Sequence, residues 1–151
     1  MPELPPEDQA DTIDIGPVKG IPIIEDDDPR FTEERAAWSR ATAKAQAMHS
    51  ADELVGGMDD LDWRVRQEVV DRLIARAWSD ERTLPALIRH LRRDDAWQVR
   101  SQIAMALSFD ELPEVVEALV AAENDPHPDV RWSVQWRLAQ AGLRPYPEDL
   151  E

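Results

Sequence analysis

The chain has 151 residues, no cysteine and a formal net charge of −15. Its length fits one domain with a tail, and the absence of cysteine excludes a disulfide framework and a thiolate zinc site. Net negative charge serves solubility, repels nucleic-acid phosphates and anionic membranes, and speeds encounter with basic proteins. We therefore expect a soluble cytoplasmic protein that binds no membrane, and we disfavour nucleic acid as its partner.

The N-terminal segment differs in composition from the rest. Residues 1–31 contain six of the twelve prolines and nine acidic residues against two basic ones. Such a segment cannot bury enough apolar surface to fold alone. We expect an acidic, proline-rich tail that is extended or disordered, followed by a helical domain over residues 32–142.

The first half of that domain carries clear helix signals. Residues 32–48 are rich in strong helix formers, which predicts an opening helix. Ser50 with Glu53 fits a capping box, and the pair Gly56–Gly57 ends the short helix that follows. A longer helix is predicted from Asp62 to Trp78.

The second half predicts two further helix pairs. One pair covers residues 80–92 and 96–108, and the other covers 112–123 and 128–141. Pro85, Pro113 and Pro128 fall at helix starts, where a missing N–H costs little. Gly142 is the expected C-cap, and residues 143–151 form a short C-terminal tail that could cap the domain.

One pattern repeats three times. An aspartate is followed five positions later by Val-Arg and then by apolar residues at helical spacing: Asp60, Val65, Arg66, Val69, Leu73; Asp94, Val99, Arg100, Ile103, Leu107; Asp125, Val130, Arg131, Val134, Leu138. Periods of 34 and 31 residues indicate stacked helix pairs. The fold class is therefore predicted as all-α, a short α-solenoid of about three helix pairs preceded by one helix.

The aspartate turn followed by Val-Arg resembles the HEAT-like repeats of the bacterial type named after phycobilisome lyases. The resemblance covers about residues 50–141, although the Ala-Leu-Gly ending common in that family is absent. It implies a helical repeat fold, whereas it leaves function open, because the family includes scaffolds, pigment-lyase components, regulators and toxin-neutralising proteins.

The three arginines in register, Arg66, Arg100 and Arg131, could form a basic stripe for phosphates. We favour a structural role in which each arginine pairs with an acid in the turn of a neighbouring block, such as Asp60, Asp94, Asp95 or Asp125.

Tryptophans mark the candidate surface. Trp63 and Trp97 lie two positions before their valines, and Trp132 and Trp136 are four apart on one helical face that points away from the apolar ladder. The latter pair could be covered by the C-terminal tail, bind a partner, or stack on a base. Trp38 and Trp78 are expected in the core or between repeats.

The second helices of the three pairs present one common face. It is polar, mildly acidic and aromatic at one end, which suits a protein that contributes Lys or Arg around an apolar anchor. The predicted partner-binding residues are Trp132, Trp136, Trp63, Trp97, Gln67, Glu68, Asp71, Gln102 and Met105.

Signals of catalysis are missing from the sequence. The three histidines are widely spaced, and there is neither a phosphate-binding glycine loop nor a nucleophile elbow. We expect no catalytic residue, no metal and no cofactor.

The leading hypothesis is a non-catalytic protein-protein interaction module, most sharply an acidic inhibitor or immunity-type protein with a basic partner. An adaptor, a scaffold or a pigment-lyase-like component would have a similar sequence. The alternative from another class is a HEAT-like alkylpurine DNA glycosylase, with Trp132, Trp136 and either Asp71 or Asp129 holding the nucleotide. Either a monomer or an end-to-end dimer is expected.

Overall fold

The computed structural model describes residues 28–107 and 112–147. The chain divides into two units, residues 1–34 and 35–151. Most of the predicted tail, residues 1–27, lies outside the described residues, and the domain boundaries at 32 and 142 stay predictions. The architecture below concerns the second unit, together with the start of its first helix.

The described chain consists of seven α-helices and one short 3₁₀ turn, and it contains no strand. They are α1 (Pro29–Gln46), α2 (Ala51–Gly57), α3 (Trp63–Arg76), α4 (Thr83–Arg93), α5 (Trp97–Ala106), α6 (Pro113–Ala121), the 3₁₀ turn (Ala122–Asn124) and α7 (Pro128–Gln140). The prediction of an all-α chain with one helix before three helix pairs is confirmed.

Among these helices, none combines the length and the apolar character that crossing a membrane requires.

Short polar side chains set where several helices begin. Ser50 accepts the N–H of Glu53 at 3.1 Å while the Glu53 carboxylate accepts the N–H of Ser50, so the predicted capping box is present. Asp62 accepts the N–H of Arg64 at 3.0 Å at the start of α3. These contacts satisfy backbone donors that have no partner within the helix.

Several helix boundaries differ from the prediction by up to three residues. The helix predicted from residue 80 begins at Thr83, because the Asp80 carboxylate accepts the N–H of Arg82 at 2.9 Å and holds a turn there. The Thr83 hydroxyl donates to the carbonyl of Ala77 at 2.6 Å and closes the same turn. The helix predicted over 112–123 ends at Ala121 and tightens into the 3₁₀ turn.

The repeated apolar ladder forms the core. Its nine members are at most 2% exposed: Val65, Val69, Leu73, Val99, Ile103, Leu107, Val130, Val134 and Leu138. They belong to one continuous cluster that extends through all three helix pairs. Each second helix thus buries the same face, which fixes the opposite face as the exposed one.

Gly57 is required by close packing. A Cβ atom at this position would lie 2.7 Å from Sδ of Met48 and 2.9 Å from Cγ2 of Val69. Such distances are far below van der Waals contact, so a larger residue would push α2 away from α3.

The arginine after each ladder valine is held by its own turn. Its Nη1 donates to the main-chain carbonyl of the repeat aspartate, at 2.7 Å for Arg66 and Asp60, 2.6 Å for Arg100 and Asp94, and 2.7 Å for Arg131 and Asp125. The contact of Nη1 with its own turn is therefore the same in all three repeats.

The other edge of the guanidinium joins neighbouring repeats. Arg66 donates through Nε and Nη2 to Asp94, both at 2.9 Å, and through Nη2 to Asp95 at 2.8 Å. Arg100 donates through Nε and Nη2 to Asp125, at 2.8 and 3.1 Å. The predicted ion pairs between neighbouring turns are confirmed for these two arginines. For Arg131 the prediction is wrong, because its described contact is the carbonyl of its own turn.

At the N-terminal end of the series of ion pairs between repeats, a lysine takes the place of the arginine. The Lys44 ammonium on α1 pairs with the Asp60 carboxylate, whereas the equivalent aspartates of the two later repeats pair with an arginine. The first repeat aspartate is therefore paired as well. The sequence pattern did not reveal this contact, since Lys44 lies outside the repeated block.

A second set of arginines ties two of the second helices, α3 and α7, to the carbonyls that follow α1 and α5. Arg72 donates through Nη2 to the carbonyl of Met48 at 3.0 Å, and Arg137 donates through Nη2 to the carbonyl of Leu107 at 2.6 Å. These carbonyls follow α1 and α5, where no helical N–H remains to pair with them. Burial lowers the pKa of Arg137.

We expect Arg100→Ala to lower the free energy of unfolding by about 3 kcal/mol, because it leaves the Asp125 carboxylate buried without a counter-ion. The two side chains are 11% and 7% exposed. Urea unfolding followed by circular dichroism measures the change. Arg131→Ala is the matched control and should lower the free energy of unfolding by less than about 1 kcal/mol. Equal losses in the two variants would show that the ion pair between Arg100 and Asp125 does not stabilise the fold.

Stability should fall in acid through Asp94. Burial alone would raise its pKa, but hydrogen bonds from His90, Arg66 and the Ala96 amide outweigh burial and bring the pKa from 3.8 to about 2. A depressed pKa stabilises the fold above the unfolded value and loses this contribution as pH falls from about 4 to about 2. The contribution of Asp94 to the free energy of unfolding that is lost in this way is up to about 2 kcal/mol.

The measurement is the midpoint of urea unfolding between pH 6 and pH 2. We expect the Asp94→Asn variant to be less stable at pH 6 and to show a flatter pH dependence. A variant whose pH dependence matches that of the natural chain would show that Asp94 contributes nothing to acid unfolding.

Candidate partner-binding face

The exposed side of α3, α5 and α7, here called the second-helix face, carries most of the predicted site residues. Each repeat contributes the positions two and six after the ladder valine, which point away from the core. They are Gln67 and Asp71 on α3, Ser101 and Met105 on α5, and Trp132 and Trp136 on α7.

The middle of this face is a ladder of polar contacts between repeats. Gln102 donates through Nε2 to the carbonyl of Gln67 at 2.9 Å and to the Asp71 carboxylate at 3.0 Å. The hydroxyls of Ser101 and Ser133 lie 2.7 Å apart and join α5 to α7. These side chains connect neighbouring helices, so their first role is structural.

The N-terminal part of the face is acidic. Glu68 accepts a hydrogen bond from the Thr42 hydroxyl of α1 at 3.1 Å, and Asp71 is exposed on the next turn of α3. Besides the contact with Gln102, the Asp71 carboxylate has no hydrogen-bond or ion-pair partner within residues 28–107 and 112–147. A basic side chain of a partner could therefore approach it directly.

Trp63 and Trp97 are half-buried between neighbouring turns. The Trp63 ring meets that of Trp38 edge to face, with centroids 5.4 Å apart, and Trp97 stacks on His127 with centroids 4.1 Å apart and planes 6° from parallel. Both were predicted as partner-binding residues, and the structure places them in contacts within the chain. Their packing stabilises the side of the solenoid on which the turns before the second helices lie.

The C-terminal end of the face is aromatic. The Trp132 and Trp136 rings lie 5.6 Å apart at 52°, and the Tyr146 ring packs edge to face on Trp136 at 5.0 Å. Trp132 is 40% exposed, Tyr146 is 50% exposed, and Met105 on the preceding repeat is 41% exposed. These four residues are here called the aromatic patch.

The Trp136 indole carries an unsatisfied donor. Its Nε1 is buried, and it has no hydrogen-bond partner among the described residues. Tyr146 covers one side of this ring, while Trp132 beside it stays open. The patch thus offers one accessible tryptophan supported by a second that is largely covered.

The segment after α7 folds back on the last repeat. Gly142 has a φ of +76°, and Leu143 donates its N–H to the carbonyl of Leu138 at 2.9 Å, which together reverse the chain. Arg144 then pairs with Glu123 at 2.9 Å. The sequence suggested a cap over both tryptophans; the described contact covers Trp136 alone. Arg144 was missed, because no periodic signal links it to Glu123.

One described cavity lies away from the second-helix face. It is an open groove of about 750 Å³ lined by residues that include Trp78, Ile88, Arg92, Glu114 and Glu117. These residues belong to α4, α6 and the turn before α4, on the side of the first helices. Sequence reasoning gave no indication of this groove.

Titratable groups do not gather at the aromatic patch. His90 donates through Nδ1 to Asp94 at 2.7 Å, next to an ion pair between repeats. His127 accepts the N–H of Asp129 and stacks on Trp97. In the described ranges, no group of three or more histidine and acidic side chains is placed to hold a metal ion.

Comparison with protein families gives a match to a repeat family. The model for HEAT repeats matches residues 21–108, which is more than half of the chain. Comparison with curated proteins and with solved structures finds no match. The matched residues include the first two copies of the Asp and Val-Arg pattern, and the third copy keeps the same buried ladder and the same arginine contact to its turn. This chain belongs to the HEAT-repeat family.

Proposed function

We propose that the chain is a non-catalytic interaction module that holds one protein partner on its second-helix face. HEAT repeats commonly mediate protein-protein interaction. The observation that carries the proposal for this face is the aromatic patch, where Trp132 and Tyr146 remain substantially exposed beside Trp136. Tryptophan and tyrosine are the residues most enriched among interface anchors.

The energetic argument concerns Trp132. A tryptophan side chain has roughly 250 Å² of surface, so its exposed fraction leaves roughly 100 Å² in water. Covering that area with a partner would stabilise the complex by roughly 2.5 kcal/mol at about 25 cal/mol per Å². One anchor of this size, supported by Trp136 beneath it, suits the centre of an interface.

Charge supports a basic partner. Glu68 and Asp71 give the N-terminal part of the face an acidic character, and the whole chain carries −15. A partner that combines Lys or Arg side chains with an apolar anchor would complement both parts of the face. Within this class, the most specific function that we propose is that of an inhibitor or immunity-type protein that covers a basic domain. An adaptor would use the same surface.

The test is capture of the partner from native lysate with the tagged chain. We expect a single stoichiometric basic protein with the natural chain, and at least a tenfold lower affinity with Trp132→Ala plus Trp136→Ala, since two anchors are removed. Purified partner and calorimetry give the affinity. Unfolding is checked by circular dichroism.

Leu61 provides the matched control, because it is fully exposed in the turn before α3 and is not part of the aromatic patch. Leu61→Ala removes exposed apolar surface without touching the aromatic patch, so it should leave affinity unchanged. If the double tryptophan variant stays folded and keeps full affinity, the partner does not bind at the aromatic patch.

A second measurement addresses the repair-enzyme alternative. The chain should not retard duplex DNA even at low salt, because its net charge of −15 opposes phosphate binding. A known basic DNA-binding protein serves as the positive control. Retardation that weakens steeply with added salt, and that the tryptophan substitutions abolish, would favour a DNA-binding enzyme over the protein-interaction module.

A further inference from the structure

Arg131 repeats the geometry of the arginines that join the repeats. Its Nη1 donates to the carbonyl of Asp125 at 2.7 Å, which matches the contacts of Arg66 and Arg100 with the carbonyls of their own turns. This contact fixes one edge of the guanidinium. The remaining edge, Nε and Nη2, is therefore held in the orientation that in the other two copies meets a carboxylate.

In Arg131 this second edge is open. Arg100 uses it to bind both oxygens of Asp125, and Arg66 uses it to bind both oxygens of Asp94. Within the part of the chain that the structure describes, Nε and Nη2 of Arg131 have no hydrogen-bond or ion-pair partner, and the residue is exposed. A fixed guanidinium edge loses less side-chain entropy on binding a carboxylate than a free one.

We propose that Arg131 binds an acidic side chain of the protein partner, in the geometry that Arg100 shows with Asp125. The proposal rests on the proposed function and adds to it a defined contact. Arg131 directly precedes Trp132, so both residues can meet the same partner at the C-terminal end of the solenoid. Arginine and tryptophan are both enriched at the centres of interfaces.

The two arginines that bind an aspartate within the chain, Arg66 and Arg100, indicate which acidic group would fit Arg131. Asp94 Oδ1 also accepts the N–H of Ala96 at 2.9 Å, and Asp125 Oδ1 accepts the N–H of His127 at 2.9 Å. Each carboxylate is thus oriented by its own turn before it meets the arginine. The acid that fits best is an aspartate in a turn that precedes a helix.

A second copy of this chain is a poor source of that aspartate. Its three equivalent aspartates are already paired: Asp60 with Lys44, Asp94 with Arg66, and Asp125 with Arg100. Stacking two copies end to end would break one ion pair for each that it forms.

The residue five positions after the ladder valine also argues against stacking. This position is fully buried as Val70 and Ala104 in the first two repeats, whereas Gln135 is polar and half-buried in the third. The last repeat thus lacks the apolar residue that its neighbours bury. Both observations favour an acid from a different protein.

The direct test follows the side-chain Nε–H signals of arginine by NMR in the full chain. N-acetyl-aspartate amide is the probe, and N-acetyl-asparagine amide is its neutral control. We expect a saturable shift of the Arg131 signal with the aspartate probe and none with the asparagine probe. Arg76, an exposed arginine in the last turn of α3, should show no saturation. Equal responses of Arg131 and Arg76, or no response, would overturn the proposal.

Acids of the same chain are the competing source. Glu148, Asp149 and Glu151 follow the described C-terminal segment in sequence. If Arg131 responds to the probe only after these three are replaced in E148Q/D149N/E151Q, the chain itself supplies the carboxylate, and the partner proposal is overturned. A response in the natural chain supports the partner proposal.

Affinity for the captured partner separates this inference from the proposed function. Arg131→Lys keeps the charge but cannot form the two parallel hydrogen bonds, so we expect about tenfold weaker binding. Full affinity in Arg131→Lys, together with a loss in the double tryptophan variant, would overturn this inference and leave the proposed function standing. Full affinity in both variants would overturn both.

Discussion

The arginine–aspartate ion pair between successive turns is the interaction on which the arrangement of the repeats depends. One edge of each guanidinium binds the carbonyl of its own turn, and the other edge binds the carboxylate of the next turn, which is itself held by a main-chain N–H. The contact therefore fixes the distance and the rotation between neighbours. Apolar burial alone would stabilise the stack without fixing its register, because apolar contacts have no preferred direction.

The register of the repeats also explains why the second-helix face is polar in the first two repeats and aromatic in the third. Because the ladder residues are buried in every repeat, the positions two and six after the valine lie on the opposite face of the helix in every repeat. In the first two repeats, polar side chains at and beside these positions bond across to neighbouring helices. In the third they are Trp132 and Trp136, and no further repeat is described beyond them. The surface available to a partner is thus concentrated where the row of inter-repeat bonds ends.

The C-terminal segment modifies this surface without closing it. Gly142 reverses the chain, Arg144 holds the segment at Glu123, and Tyr146 covers part of Trp136. The segment therefore adds aromatic surface of its own while leaving Trp132 and the guanidinium of Arg131 open. A partner that binds here would contact residues from α7 and from the returning segment together.

The sequence by itself determined the helical repeat, the buried ladder and the ion pairs of Arg66 and Arg100, because each depends on a spacing that recurs and that neighbouring copies bring into contact. It also placed Trp132 and Trp136 outside the core. Only the tertiary structure decided the contacts that break the periodicity: Lys44 with Asp60, Trp63 against Trp38, Arg144 with Glu123, and the open edge of Arg131. These contacts join residues outside the repeated pattern or arise where it stops, so their partners follow from the path of the chain in space, which a spacing in sequence does not encode.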